Sequence, residues 1–283
     1  MRLAAFDKLN LFIRTYITMF GNVIRFSSWS PFLYLAIFQL LGIVLMAWIS
    51  MPGWKNFIYP ILSLAIPTEL FHFPEYLLVI PHIFSDFDNY ILGPTAWVIF
   101  SAVAVYKLGG LYSNEKLSAK TGFSIAFRSF LPLLIVWFIE LALVFVLFKA
   151  STVLLIEFIY GSPKRVMALN VTLQLIAFIP SAFLVYAVPG IILNRMRVIN
   201  AIGHSLKLCY QNFFMTYFII LIPGLVRLGF DIIIKDFGPK IAFSLNPNLI
   251  IVFMVMKVVA GIFINLFILG VATYIYRDLT GKN

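Results

Sequence analysis

Six long runs of apolar residues are separated by segments in which polar and charged residues return. A helix needs about 20 apolar residues to cross about 30 Å of hydrocarbon, because each residue advances it by about 1.5 Å. Runs of this length predict an all-α integral membrane protein with six transmembrane helices. The predicted spans are Pro31–Ser50, Tyr90–Tyr106, Phe130–Phe148, Asn170–Val188, Phe213–Phe230 and Leu249–Tyr276.

Two shorter apolar stretches, Phe57–Ile66 and Tyr76–Phe84, lie between spans 1 and 2. Neither is long enough to cross a bilayer. Proline interrupts a helix because it lacks a backbone N–H and clashes with the preceding turn. The interrupting prolines are Pro60, Pro67, Pro74 and Pro81. We therefore predict interfacial or re-entrant pieces in an external loop at 51–90, with a seventh or eighth crossing as the alternative.

Three segments outside the spans are amphipathic, and each leads into an odd-numbered span. The first, Ala5–Arg25, repeats apolar residues at steps of three and four, at Phe6, Leu9, Ile13, Tyr16, Ile17, Phe20 and Ile24. The second places Lys120, Ser124 and Arg128 on one polar face. The third has an apolar stripe of Ile199, Ile202, Leu206, Cys209 and Phe213 beside a polar stripe of Asn200, His204, Lys207 and Gln211. This periodicity predicts three helices at the membrane surface.

The exits of the even-numbered spans also resemble one another. They read Tyr106-Lys107-Leu108-Gly109-Gly110, Tyr186-Ala187-Val188-Pro189-Gly190 and Tyr274-Ile275-Tyr276-Arg277-Asp278-Leu279-Thr280-Gly281. We therefore predict three units within one membrane domain, at approximately 1–110, 111–190 and 191–283, each a surface helix followed by a helical hairpin. The alternative is that basic amphipathic loops occur here as they do in any multispan protein.

The distribution of the 21 Lys and Arg residues predicts the orientation. Thirteen of them lie in the N-terminal segment, the loops after spans 2 and 4, and the C-terminal tail. Because cytoplasmic segments are enriched in Lys and Arg, we expect both termini in the cytoplasm and the protein in the cell inner (cytoplasmic) membrane. The basic residues expected at this interface are Arg14, Arg25, Lys120, Arg128, Arg195, Arg197 and Lys207.

Composition excludes a soluble fold, since 62% of the residues are hydrophobic and only 11% are charged. The net charge of +10 would suggest nucleic acid as the partner of a soluble protein. Here the cations flank spans, so we expect membrane lipids as partners and no nucleic acid. Cys209 is the single cysteine, which excludes a disulfide within the chain.

Glu140 is the most informative polar residue, since it lies ten positions into span 3. An ionisable group near mid-membrane costs about 2.5–3.5 kcal/mol to insert and usually faces a bundle interior or a cavity. It could relay a proton or cation or balance the charge of a substrate, or it could fix helix packing as a protonated or paired carboxyl. Candidate partners are Gln174, Asn265 and Lys257, although Lys257 could instead extend to the external interface.

Sites for metals, cofactors or catalysis are not expected. Glu69, His72 and Glu75 are three residues apart, so they would share a face of a helix and could bind a metal. Pro67 and Pro74 argue against such a helix. No convergent nucleophile, base or phosphate-binding loop can be named, so we expect no enzyme activity.

The C-terminal third of the chain carries a recognisable pattern. It comprises Val188-Pro189-Gly190-Ile191-Ile192-Leu193, then Ala201, Ser205-Leu206-Lys207-Leu208, Asn212-Phe213 and Tyr276-Arg277-Asp278-Leu279. This pattern resembles a bacterial and archaeal family of six-span proteins related to the membrane domain of glycerophosphodiester phosphodiesterases. The resemblance implies an inner-membrane location and a link to lipids or the envelope, and it brings no catalytic residues.

Two functional hypotheses follow from the sequence. The first is a non-catalytic, lipid-associated or accessory subunit that scaffolds a membrane complex with protein partners. The second is a transporter or permease subunit with a polar path near Glu140.

Overall fold

The computed structural model describes residues 5–23, 25–49, 75–113, 115, 117–159 and 162–281, and these form helices joined by turns, with no strand among them. The helices outside span 2 are Ala5–Val23, Phe26–Ile49, Ala119–Arg128, Phe130–Ile159, Pro163–Leu184, Ala187–Asn194, Val198–Gln211, Phe213–Asp231, the π-helix Ile232–Asp236, Gly238–Ser244 and Leu249–Thr280. The chain is therefore an all-α, multi-pass membrane protein.

In the part of the chain that the structure describes, six helical segments are long and apolar enough to cross a membrane. They are Ser28–Ala47, Leu77–Tyr112, Phe130–Ser151, Lys164–Asn194, Phe213–Lys235 and Leu249–Thr280, hereafter spans 1 to 6. The six predicted spans and their order are confirmed within the described residues, because uninterrupted apolarity is a local property that hydropathy measures directly.

Span 2 begins earlier than the sequence indicated. Helix starts at Glu75 and continues as α-helix Glu75–Phe87, π-helix Asp88–Trp97 and α-helix Val98–Tyr112. The stretch Tyr76–Phe84 therefore belongs to a span, and its prediction as an interfacial or re-entrant piece is wrong. The stretch Phe57–Ile66 lies outside the described residues.

Two prolines lie inside this long helix without ending it. Pro81 is within Glu75–Phe87 and Pro94 is within the π-helical segment. Prolines are tolerated in packed transmembrane helices because neighbouring groups and local changes of hydrogen bonding satisfy the freed backbone carbonyls. A π-helical segment is one such change, since its hydrogen bonds reach five residues back, and such segments are frequent at functional sites.

The spans form a ring in chain order. Each span packs against the next, span 6 closes the ring against span 1, and span 2 also contacts spans 4 and 6 across it. Gly42 permits the close approach of spans 1 and 2, because a Cβ there would lie 2.7 Å from the Phe87 ring. This up-and-down ring leaves its centre available for a cavity.

Three helices lie outside the ring at one end, as the periodicity predicted: Ala5–Val23, Ala119–Arg128 and Val198–Gln211. We call them the first, second and third surface helices, and their end of the bundle the terminal end, because the first and last helices of the described residues meet there. The other end is called the opposite end. Nothing in the arrangement tests whether the three units form a true repeat, which stays a prediction.

On the first and third surface helices, the buried face coincides only partly with the apolar stripe. The first surface helix buries Thr15, Met19 and Asn22, while Phe6 and Ile17 are 80% and 66% exposed. The third buries a narrow face of small and polar residues, whereas its stripe residues Ile199 and Leu206 are exposed; the buried residues are Ala201, Ser205, Leu208 and Cys209. These exposed stripe residues face outward, where a membrane would cover them, whereas Cys209 of the third stripe faces the bundle.

Candidate functional site

A cavity of about 510 Å³ lies within the ring of spans. This volume falls within the range of small-molecule sites, about 300–1,000 Å³. All six spans contribute to its wall, and the polar and charged lining residues are Gln39, Ser85, Asp88, Asn89, Ser101, Glu140, Gln174, Ser181, Arg227, Asp231, Lys235, Lys257 and Asn265. The remainder of the wall is mainly aromatic and aliphatic.

The structure brings together all four intramembrane residues that the sequence singled out. Glu140, Gln174, Lys257 and Asn265 come from spans 3, 4 and 6, and each lines the cavity. Polar side chains in a span are costly where they face lipid and are usually directed inward. Their convergence on one space gives the bundle a polar interior.

Glu140 is held by span 4. The Ser181 hydroxyl donates a hydrogen bond to Glu140 Oε1 at 2.6 Å. Glu140 is half-buried as a residue and lines the cavity. Trp137 lies one turn earlier on the same face of span 3 and also lines the cavity.

Asp88 and Gln39 form a second acidic position that the sequence did not identify. Gln39 Nε2 in span 1 donates a hydrogen bond to Asp88 Oδ1 at 2.7 Å. Asp88 was expected in the external loop, but it opens the π-helical segment of span 2. The signal that could have found this pair was Gln39 itself, an amide within an otherwise apolar run.

An ion pair lines the cavity nearer the opposite end. Lys257 Nζ lies 2.5 Å from Asp231 Oδ1, and both side chains are largely buried. Lys257 therefore has a partner in span 5 and does not need to extend to the interface. Arg227 and Lys235 also belong to this part of the wall, and both are exposed.

Packed side chains close the cavity at the terminal end. In span 2, Leu108 lies about two turns nearer the terminal end than the lining residue Ser101. In span 6, Tyr276 has the same relation to the lining residue Leu269. Leu108 and Tyr276 are essentially inaccessible, with exposures of 0% and 1%. The described conformation therefore offers no open path at this end.

Polar contacts join the exits of spans 2, 4 and 6 at the terminal end. Arg277 donates to the Gly109 carbonyl at 2.7 Å and also to the Ser113 hydroxyl. Asn194 donates to the Tyr276 hydroxyl. The three exit motifs that the sequence showed to be alike thus meet in space.

Further contacts connect these exits to other elements. The Tyr186 and Thr216 hydroxyls are 3.0 Å apart and join spans 4 and 5. Asn22 of the first surface helix donates to the Tyr274 hydroxyl at 3.0 Å. Lys107 donates to Ser30 at 2.9 Å, which joins spans 2 and 1. We call these contacts, together with those of Arg277 and Asn194, the terminal network.

Ser205 of the third surface helix bridges a break in span 4. The α-helix is interrupted between Leu184 and Ala187. Ser205 Oγ donates to the Phe183 carbonyl at 2.7 Å and accepts from the Tyr186 N–H at 3.2 Å. The break precedes Pro189, which has no N–H for the ordinary helical bond. A small hydroxyl on the buried face therefore satisfies backbone groups that the break leaves free.

Burial perturbs two titratable side chains of the third surface helix. Burial raises the pKa of the Cys209 thiol to about 11. Burial, reinforced by the charge of Lys207, lowers the pKa of His204. Both side chains are therefore favoured in their neutral forms near pH 7.

The seven basic residues expected at the interface are all exposed: Arg14, Arg25, Lys120, Arg128, Arg195, Arg197 and Lys207. Within the described ranges, no group of three or more His, Cys, Asp or Glu side chains could hold a metal ion. Glu69 and His72 lie outside those ranges.

Comparisons of the chain with family models, with curated proteins and with solved structures give no match. The resemblance to the six-span family related to glycerophosphodiester phosphodiesterase membrane domains stays a prediction.

Proposed function

We propose that the protein is a transporter or permease, alone or as a subunit, that binds a small solute in the central cavity and passes it across the membrane. The cavity carries this proposal, because it is lined by all six spans and each span contributes at least one polar side chain to its wall. Binding sites at the centre of helical bundles are built in this way, from side chains on facing helices.

The accessory-subunit hypothesis does not explain the charged side chains in the cavity wall, whereas the transport hypothesis does. A scaffold needs packed helices but no charged side chains in the membrane, each of which costs about 2.5–3.5 kcal/mol to insert near its centre. The cavity wall nevertheless contains both acidic and basic groups. A solute site accounts for them directly.

The surface helices support a role for lipid in the same protein. Phe6, Ile17 and Phe20 of the first surface helix are each more than 60% exposed beside exposed Arg14. An apolar face next to basic residues is suited to the headgroup region of an anionic leaflet. We place the terminal end in the cytoplasm and the protein in the inner membrane, on the charge asymmetry.

The cavity can be tested by cysteine accessibility in a Cys209→Ser background. Ala177→Cys introduces a thiol into the cavity wall, and Ile176→Cys places a matched thiol on the exposed outer face of the same span. A membrane-impermeant cationic methanethiosulfonate is added to right-side-out and to inside-out membrane vesicles. A thiol in lipid stays un-ionised and reacts slowly, whereas a thiol in a hydrated cavity reacts.

We expect Ala177→Cys to react in both vesicle preparations, because transport requires the closed terminal end to open during the cycle, and we expect Ile176→Cys to react in neither. Reaction from one side alone would show a pocket without a path and would contradict transport. Failure of Ala177→Cys to react from either side, or equal reaction of the two variants, would contradict the hydrated cavity itself.

A further inference from the structure

Two carboxyl groups of the cavity wall, Glu140 and Asp88, have neutral hydrogen-bond partners. Glu140 accepts from Ser181 and Asp88 accepts from Gln39. Among the described residues, neither carboxyl forms a salt bridge, in contrast to Asp231, which is paired with Lys257. A carboxylate in a membrane interior is costly unless a positive charge balances it.

Two tryptophans line the cavity on the same helices as these carboxyl groups. Trp137 shares a face of span 3 with Glu140, and its indole packs against Gly93 of the π-helical segment that begins at Asp88. A Cβ at Gly93 would lie 2.8 Å from Trp137 Cζ2, so the glycine permits this close approach. Trp97 ends the same segment and lines the cavity. The indole therefore lies between the two helices that carry the carboxyl groups.

The basic groups of the wall lie farther from the terminal end. Ser181, which bonds to Glu140, lies one turn nearer the terminal end of span 4 than Phe178, and the Phe178 ring meets Gly224 of span 5. From Gly224, Arg227 and Lys235 lie about 4.5 Å and about 16 Å farther along span 5 toward the opposite end. Lys257 is balanced by Asp231. The cavity is thus acidic and aromatic at mid-depth and basic toward the opposite end.

We propose that the solute bound in this cavity is an organic cation with an apolar or aromatic body. Its charge takes the place of the missing counter-ion of Glu140 and Asp88, and its body packs against Trp137, Trp97 and the aliphatic wall. Cations bind over indole faces, and carboxylates select positive charge, so the two features favour the same ligand. This inference rests on the proposed function, since it names the class of solute for the same cavity.

Two probe ions of matched shape test the assignment. Tetraphenylphosphonium and tetraphenylborate have the same four-phenyl body and opposite charges. Equilibrium binding of each is measured on purified protein in lipid nanodiscs, with empty nanodiscs as the blank. We expect saturable binding of tetraphenylphosphonium and none of tetraphenylborate. Equal binding of the two ions would show a site selected by apolarity alone and would overturn the proposal.

Three variants locate the bound charge. Glu140→Gln and Asp88→Asn each remove one carboxylate, and each is expected to weaken tetraphenylphosphonium binding by about tenfold or more, as loss of a charged contact does. Arg227→Gln removes a cation from the same cavity and should leave binding unchanged or tighter. Equal weakening by all three variants would overturn the proposal.

Protection of Ala177→Cys from the thiol reagent tests the proposal without the two carboxylate variants, so the result does not depend on whether those variants fold. Tetraphenylphosphonium should slow the modification of Ala177→Cys by the thiol reagent, and tetraphenylborate should not. If Ala177→Cys reacts from both sides and tetraphenylphosphonium neither binds nor protects, the cation assignment fails while the transport proposal stands. If Ala177→Cys reacts from neither side, it is the transport proposal that fails.

Discussion

Replacing Thr216 by valine removes a hydroxyl that joins spans 4 and 5 in the terminal network. Thr216 Oγ1 donates to the Asn212 carbonyl at 3.1 Å, so the Tyr186 hydroxyl, 3.0 Å away, is the donor in their mutual contact. Tyr186 is completely buried, with 0% exposure. Thr216→Val therefore leaves a buried hydroxyl without its acceptor, at a cost of about 1–3 kcal/mol.

The reciprocal variant should cost less. Tyr186→Phe removes the donor, but the Thr216 hydroxyl keeps its bond to the Asn212 carbonyl. The expected loss is the net value of one hydrogen bond, about 0.5–1.5 kcal/mol. In the double variant a phenyl ring faces a valine and no polar atom of this pair is stranded. The double variant should therefore lose less than the sum of the single losses, by about 0.6–1.7 kcal/mol.

The free energy of unfolding of the four proteins can be measured by reversible denaturation in mixed micelles of mild detergent and sodium dodecyl sulfate. The predicted order of destabilisation places Thr216→Val above Tyr186→Phe. A larger loss for Tyr186→Phe, or a double variant whose loss equals the sum of the single losses, would refute the assignment of donor and acceptor and the burial argument behind it.

Three further outcomes follow from the geometry. Gly93→Ala should lower the free energy of unfolding by about 1–3 kcal/mol, because the added methyl group meets the Trp137 indole. Gly203→Ala, with open space around it, should raise the free energy of unfolding by about 0.5–1 kcal/mol. Chemical denaturation measures both changes. Lys257→Met should destabilise the protein by about 3 kcal/mol or more by leaving Asp231 unpaired, and adding Asp231→Leu should recover part of that loss in the same assay. Cys209 is buried, and burial raises its pKa to about 11, so it should resist maleimide at pH 8 until the protein unfolds. Mass spectrometry measures the extent of labelling. Rapid labelling of the folded protein would contradict the burial of Cys209.

The sequence was most informative where structure is decided locally. Continuous apolarity identifies the spans, and steps of three and four residues identify the surface helices. The same periodicity did not reveal which face of those helices is buried. Ser205 faces inward because span 4 is broken beside Tyr186, and that break is a property of the folded bundle.

The cavity was only partly visible in the sequence. Glu140 attracted attention because a carboxyl group within an apolar run is costly. Asp88 did not, because the prolines up to Pro81 suggested an external loop that extended past it, although α-helix and π-helix in fact carry it into the ring. Which polar residues converge depends on the order and rotation of the spans, and no local pattern encodes that arrangement.

Hydroxyl-radical footprinting of the unaltered protein in nanodiscs tests the central claim most directly, since it labels side chains that contact water. Phe178 lines the cavity and is half-buried, whereas Phe138 and Phe145 are 52% and 62% exposed on the outer surface of span 3. A hydrated cavity within a ring of membrane spans predicts faster oxidation of Phe178 than of Phe138 or Phe145, each rate normalised to the unfolded protein. The reverse order, which surface exposure alone would give, would contradict it.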